Sequence, residues 1–178
     1  IGGFIGTGGF RLVLATIDYP SGQLVLRPRT EAGTQALQQD LAGKTVTEMP
    51  FALAATHMMM AKGNLNDKED LTFFVDSGLA SQAAFIAYDQ TLDYAGIPVP
   101  ETAPAEGVGG GGGTDFEVGH FPVERLGLGT LIQEDKIGQY SPGNSGSYWE
   151  LGFIQDGLIS HQFLRNYAWT LDFADMDM

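Results

Sequence analysis

The chain has 178 residues, of which 43% are hydrophobic and 17% charged, with a formal net charge of −13 and no cysteine. That balance supports a folded domain with a proper core, not a disordered segment. The acidic surface argues against nucleic acid and anionic membranes, no apolar run is long enough to span a bilayer, and zero cysteines exclude disulfides, thiolate catalysis and zinc–thiolate sites.

In chain order the pattern gives short strands, turns and little helix. Residues 10–28 read as a hairpin, with Leu12 to Tyr19 and Gln23 to Leu26 as strands around a Pro20-Ser21-Gly22 turn. Residues 29–48 are polar and mixed, with a brief helix expected over Gln35 to Leu41 before Gly43, and form a connector. Met49 to Leu53, His57 to Lys62 and Leu71 to Val75 read as strands, the last two separated by a turn over Asn64 to Lys68. Apolar residues at helical spacing (Ala84, Ala87, Tyr88, Leu92) predict a helix from Ala80 to Tyr94, ending before Gly96. Ile97 to Ala105 is Pro-rich and extended. Phe116 to Ile132 reads as two strands bending near Gly127-Leu128-Gly129, and Ile137 to Glu150 as a polar loop.

The most informative stretch is Phe73-Phe74-Val75-Asp76-Ser77-Gly78. An apolar, β-branched run of this kind reads as a strand buried on both faces, and it ends in a carboxylate. Such a strand delivers Asp76 into low dielectric, where its protonation can be tuned. Ser77 can hydrogen-bond locally, and Gly78 permits a tight turn or close approach to a ligand. A strand followed by an ordinary Asp-Ser-Gly turn accounts for these six residues as well.

Residues 1–24 match residues 155–178 without a gap. Gly3, Ile5, Arg11, Thr16 and Asp18 fall on Gly157, Ile159, Arg165, Thr170 and Asp172, and Phe4, Phe10, Ile17 and Tyr19 on Leu158, Leu164, Leu171 and Phe173. A repeat of this sort means a duplicated structural unit. The chain is therefore expected to begin within the tail of an earlier copy and to end with a whole one. Asp18 and Asp172, at matching ends of the repeated segment, read as structural.

Asp76-Ser77-Gly78, followed downstream by Gly157-Leu158-Ile159-Ser160-His161-Gln162-Phe163-Leu164-Arg165 and by Thr170-Leu171-Asp172-Phe173, resembles the retropepsin-like (retroviral-type) aspartic proteases of bacteria. The resemblance covers residues 49–178 as a complete lobe and 1–28 as the C-terminal part of a first, similar lobe, with 29–48 between them. It implies a mainly β fold: a pepsin- or retropepsin-like closed β-barrel lobe with one or two short helices. It implies an aspartic endopeptidase in which Asp76 supplies one member of a water-activating pair, Ser77 and Gly78 complete the active-site loop, and no metal or cofactor takes part. One Asp-Ser-Gly occurs in the chain, so the second carboxylate must come from a second lobe, either an N-terminal half or a twofold-related copy. The alternative is a catalytically inactive lobe that binds peptides or scaffolds a partner. Ser160 stands where the family prefers glycine, and its side chain is expected to crowd the strand that braces the Asp76 loop; Gly6 holds that place in the earlier copy.

Gly109 to Gly113 is a run of five glycines. It reads as a flexible loop, or through the resemblance as part of a flap that closes over peptide. It is no phosphate cradle, and Gly43-Lys44-Thr45 lacks the earlier glycine a P-loop needs. Gly143-Asn144-Ser145-Gly146-Ser147 resembles the nucleophile loop of trypsin-like serine proteases, with His57 and an Asp upstream in the right order. A turn-rich surface loop explains it more simply. His57, His120 and His161 show no metal-ligand spacing, and Met58-Met59-Met60 reads as core packing.

Overall fold

A computed structural model of the chain describes residues 5–54, 57–105, 117–143 and 154–178. The glycine run Gly109 to Gly113, and Asn144 to Ser147 with the serine-protease-like Ser145, lie outside the described residues, as do Gly3 and Phe4 of the repeat.

The fold is mainly β, and its centre is a closed sheet. Strands β3 (Phe51–Ala54), β4 (Met58–Leu65), β5 (Lys68–Val75), β6 (Phe85–Ala87), β7 (Ala103–Pro104), β8 (Glu117–Leu128), β9 (Leu131–Tyr140) and β10 (Gly157–Ile159) hydrogen-bond in the order β3-β4-β5-β10-β6-β9-β8-β7. A further pairing of β4 with β8 joins Gly63 to Leu128 and Leu65 to Leu126, which closes β4, β5, β10, β6, β9 and β8 into a barrel. Closure requires Gly63. A β-carbon there would stand 2.3 Å from the Gly127 carbonyl oxygen and 2.6 Å from the Phe73 ring. The barrel is filled by Leu65, Phe73, Phe85, Val123, Leu126, Leu128, Ile159 and Phe163, all fully buried, with Phe73 edge-on to Phe85 at 5.0 Å between ring centres. Met59 and Met60 are buried with them, as the sequence predicts.

A second, three-stranded sheet runs β11-β1-β2, from β1 (Val13–Asp18), β2 (Gln23–Pro28) and β11 (Ala168–Leu171). The predicted hairpin is present, and its first strand pairs antiparallel with β11 near the chain's end. The register is Ala15 to Leu171, Thr16 to Thr170 and Ile17 to Trp169. Thr16 and Thr170, 154 positions apart, face each other with hydroxyl oxygens at 2.8 Å. Helices α1 (Thr7–Phe10) and α4 (His161–Leu164) precede the two strands. Their N-caps share one backbone shape (Gly6 φ −84°, ψ 172°; Ser160 φ −93°, ψ 173°), and so do their C-caps Arg11 and Arg165 (φ −58°, ψ −22°; φ −60°, ψ −14°). Met49 and Met178 exchange backbone hydrogen bonds (N···O 3.1 and 3.0 Å), so the start and end of residues 49–178 are laced together.

Four helices occur among the described residues; two of them lie within residues 49–178, over Asp89–Ala95 and His161–Leu164, in keeping with the one or two expected of the lobe. Helix α2 (Glu31–Leu41) runs through the connector, starting earlier than predicted because the Thr30 hydroxyl accepts from the Gly33 N–H. The helix predicted over Ala80 to Tyr94 is corrected to strand β6 followed by α3 (Asp89–Ala95). Phe85, Ile86 and Ala87 are all buried, between β9 on one side and β10 on the other. Two-sided burial of a short run overrides its helical spacing. Residues 137–140, expected as loop, continue β9.

Candidate active site

Strand β5 carries Asp76 to the barrel's end. It is not buried on both faces as predicted: Leu71 and Phe73 point into the core, while Phe74 and Val75 are half-covered. Asp76 is half-buried too, and Ser77 and Gly78 are exposed. The reason is topological, since β5 lies on the wall of a barrel and keeps the alternation of a one-sided strand.

The loop is held from three sides. The Asp76 N–H donates to the Ile159 carbonyl at 3.0 Å, continuing the parallel pairing of β5 with β10. The Gly78 N–H donates to Asp76 Oδ1 at 2.9 Å, so one carboxylate oxygen is fixed by its own turn. Below the loop, the Leu79 carbonyl accepts from the His161 N–H at 3.2 Å. Strand β10 must lie close to do this, and Gly157 permits it. A β-carbon there would come within 2.5 Å of the Phe85 ring and the Ile86 carbonyl oxygen.

Ser160 does not crowd the loop, contrary to the expectation from sequence. It is fully buried and caps α4: its hydroxyl accepts from the Gln162 N–H at 3.1 Å and donates to the Ala83 carbonyl at 2.5 Å. The side chain fills its space with two hydrogen bonds that glycine cannot make.

Asp76 and Ser77 border a cavity of about 220 Å³, otherwise lined largely by apolar side chains. Its walls come from both sheets: Phe74 and Val75 of β5, Ile17 of β1, and Trp169 and Leu171 of β11. Tyr19, just past β1, also reaches it. Its ring stands edge-on to the His161 imidazole with centres 4.9 Å apart. Burial, with the nearby Asp76 charge adding to it, pushes the Tyr19 phenol above its ordinary value, against the opposing influence of the Ser77 side chain. The phenol therefore stays protonated through neutral pH. Sequence reasoning missed Tyr19.

Asp18 and Asp172 stand apart from this site. Asp18 Oδ1 accepts from the Ser21 N–H at 3.0 Å and fixes the β1–β2 turn. Asp172 Oδ1 accepts from Arg29 at 2.5 Å and from the Ala174 N–H at 2.8 Å. Burial pushes its carboxyl up, but the Arg29 guanidinium and the backbone donors outweigh burial and hold it below the usual range. His57 also lines the cavity, whereas His120 lies on the β8–β9 hairpin. Among the described residues no three His, Cys, Asp or Glu side chains gather to hold a metal ion, and no helix is long and apolar enough to cross a membrane.

No family model matches the chain, and no curated protein matches it. Among solved structures it is similar to a retropepsin-like aspartic protease from Rickettsia conorii, at 12% sequence identity and a TM-score of 0.48, over 69% of this chain and 90% of that one.

Proposed function

We propose that the chain is one complete lobe of an aspartic-type endopeptidase, residues 49–178, joined to the closing part of a second such lobe, residues 1–28. The observation that carries this reading is where the Asp76 carboxylate lies. It borders a cavity walled by the strand pair β1–β11, in which matching residues of the repeat meet at Thr16 and Thr170. In this reading a second lobe, related to this one by a twofold axis through that pair, supplies the partner carboxylate.

Two carboxylates so placed cannot both ionise and share one proton. The ionised one takes a proton from a bound water. The protonated one hydrogen-bonds to the scissile carbonyl and then hands its proton to the leaving amine. In this reading Ser77 and Gly78 shape the loop around Asp76.

The second lobe is supported by what residues 1–28 leave uncovered. Ile5 is 64% exposed, while its counterpart Ile159 is fully buried beside β5. On β2, Leu24 and Leu26 are 45% and 54% exposed, and they extend the apolar face that Trp169 and Leu171 bury against the lobe. Strand β1 already occupies the place beside β11 that a twofold copy's β11 would need. This favours a distinct lobe that owns residues 1–28 over a homodimer of this chain.

The test is peptide cleavage by the intact protein at roughly pH 4 to 7, where a shared-proton pair works, with and without pepstatin, beside Asp76→Asn. Pepstatin-sensitive cleavage that disappears in the variant supports the reading. Cleavage that persists in Asp76→Asn removes Asp76 from catalysis. A folded protein that binds peptide and cleaves none supports the alternative, an inactive binding lobe, for which Asp76 standing as the one acidic residue of the described cavity lining speaks.

A further inference from the structure

Residues 29–48 join the two parts of the chain, and this connector has two unlike halves. The first is helix α2, opened by the Thr30 cap and tied near its far end by the ion pair of Asp40 with the buried Arg27 of β2. The helix stops at Leu41. The Lys44 N–H donates to the Leu41 carbonyl at 3.0 Å, and Gly43 takes the left-handed conformation (φ 76°) that glycine adopts without strain. From Thr45 to Glu48 the backbone has no regular structure and makes no hydrogen bond among the described residues, until the Met49 N–H meets the Met178 carbonyl. Ala42 to Val46 are all exposed, Val46 at 48%. A protease takes its substrate as an extended segment whose backbone groups are free to pair with the cleft. This stretch can be drawn out that way without breaking native hydrogen bonds, where most of the chain must first open locally.

Among the described residues, Lys44 is the one basic residue set in such backbone. The chain holds nine Lys and Arg in all. Lys62, Lys68, Arg125 and Lys136 lie in strands of the barrel, and Arg27 lies in β2 with a proline after it. Arg11 and Arg165 cap α1 and α4, each with its N–H bonded into the preceding turn. Arg29 is bound to the Asp172 carboxylate and the Arg11 carbonyl, and the next residue, Thr30, caps α2. Residues 1–4, 55–56, 106–116 and 144–153 contain neither Lys nor Arg. An enzyme that cuts after basic residues therefore finds one ready site.

We propose that the Lys44–Thr45 peptide bond is a processing site for an endopeptidase specific for basic residues, and that cleavage there yields a two-chain protein that stays assembled. Water adds across the amide: Lys44 ends as a carboxylate and Thr45 begins as an ammonium. The piece before the cut carries β1, β2 and α2, and the piece after it carries the barrel and β11. What holds the two together does not run through the connector. Strand β1 pairs with β11 from Ala15 to Asp18, Thr16 and Thr170 share a hydrogen bond at 2.8 Å, and Arg29 pairs with Asp172 at 2.5 Å. Phe10, Ile17 and Tyr19 pack against the buried core. This inference goes beyond the aspartic-protease reading and does not depend on it.

Brief trypsin treatment of the folded protein, followed by mass spectrometry, reads the site. Within residues 1–178 the first cut should fall after Lys44. Lys44→Gln should slow cleavage by about tenfold or more, since the other sites are reached only through local opening. The piece ending at Lys44 and the piece beginning at Thr45 should then elute together on gel filtration and separate only in denaturant. A first cut elsewhere, or a Lys44→Gln protein cut as fast as the wild type, overturns the site. Pieces that part without denaturant overturn the assembled two-chain form. Protein taken from its own cells should show a second N-terminus at Thr45; a Lys44–Thr45 bond intact in all of it overturns processing and leaves an accessible connector only.

Discussion

Replacing Ser160 separates two accounts of the same residue. If its side chain crowded the strand behind the Asp76 loop, Ser160→Gly would relieve strain and stabilise the fold. The structure predicts the reverse. Its hydroxyl caps α4 through the Gln162 N–H and supplies a donor to the carbonyl of fully buried Ala83. Loss of an N-cap costs about 0.5–2 kcal/mol on replacement by Ala. A buried carbonyl left without its donor costs about 1–3 kcal/mol. Since one hydroxyl serves both, Ser160→Ala should lose about 2–4 kcal/mol. Ser160→Gly should lose slightly less, because glycine is itself a tolerable cap. For a chain of this size that is roughly a 5–15 °C fall in Tm. Urea denaturation of both variants beside the wild type measures it. A Ser160→Gly protein as stable as the wild type, or more so, would refute the capping argument.

Three other outcomes follow from the packing and charge. Gly63→Ala should destabilise by about 1–3 kcal/mol or more by overpacking, since the added methyl meets the Gly127 carbonyl and the Phe73 ring; thermal unfolding would show it. Asp172, whose carboxyl is held low chiefly against burial by Arg29, adds stability that is fully present above its unfolded value of 3.8 and is lost as pH falls through the lower folded value. Asp172→Asn should therefore be less stable at pH 7 and lose less stability below roughly pH 4, read by chemical denaturation across that range. Leu24→Asp and Leu26→Asp, at exposed sites, should change the stability of the described fold by no more than about 0.5 kcal/mol. If a second lobe covers that face, the same variants should sharply reduce peptide cleavage; unchanged cleavage counts against the covering lobe.

Much of the fold was legible because its signals are local. The Pro20-Ser21-Gly22 turn and the Gly127 to Gly129 bend mark hairpins that the structure contains. Strand β6 was not legible, because Phe85-Ile86-Ala87 gains its identity from β9 and β10, both distant in sequence. Its neighbouring alanines carry a helical period that burial overrules. Asp76-Ser77-Gly78 could be singled out from order alone, a strand ending in a carboxylate and a glycine. Its exposure could not, since that depends on which wall of the barrel β5 forms. Tyr19 carried one trace in sequence, the hydroxyl that distinguishes it from its match Phe173. Nothing local places it at the cavity that Asp76 and Ser77 also border; the fold does. Ser160 looked like a misfit by comparison with glycine at the same place, and only the Ala83 carbonyl above it explains the hydroxyl.

The most direct test of the central claim is a crystal structure of the intact protein with a statine-containing peptide, whose hydroxyl mimics the attacked carbonyl's tetrahedral state. The account predicts that hydroxyl between Asp76 and a second carboxylate, related to it by the axis through Thr16 and Thr170. Peptide bound away from Asp76, or no carboxylate opposite it, would contradict the account.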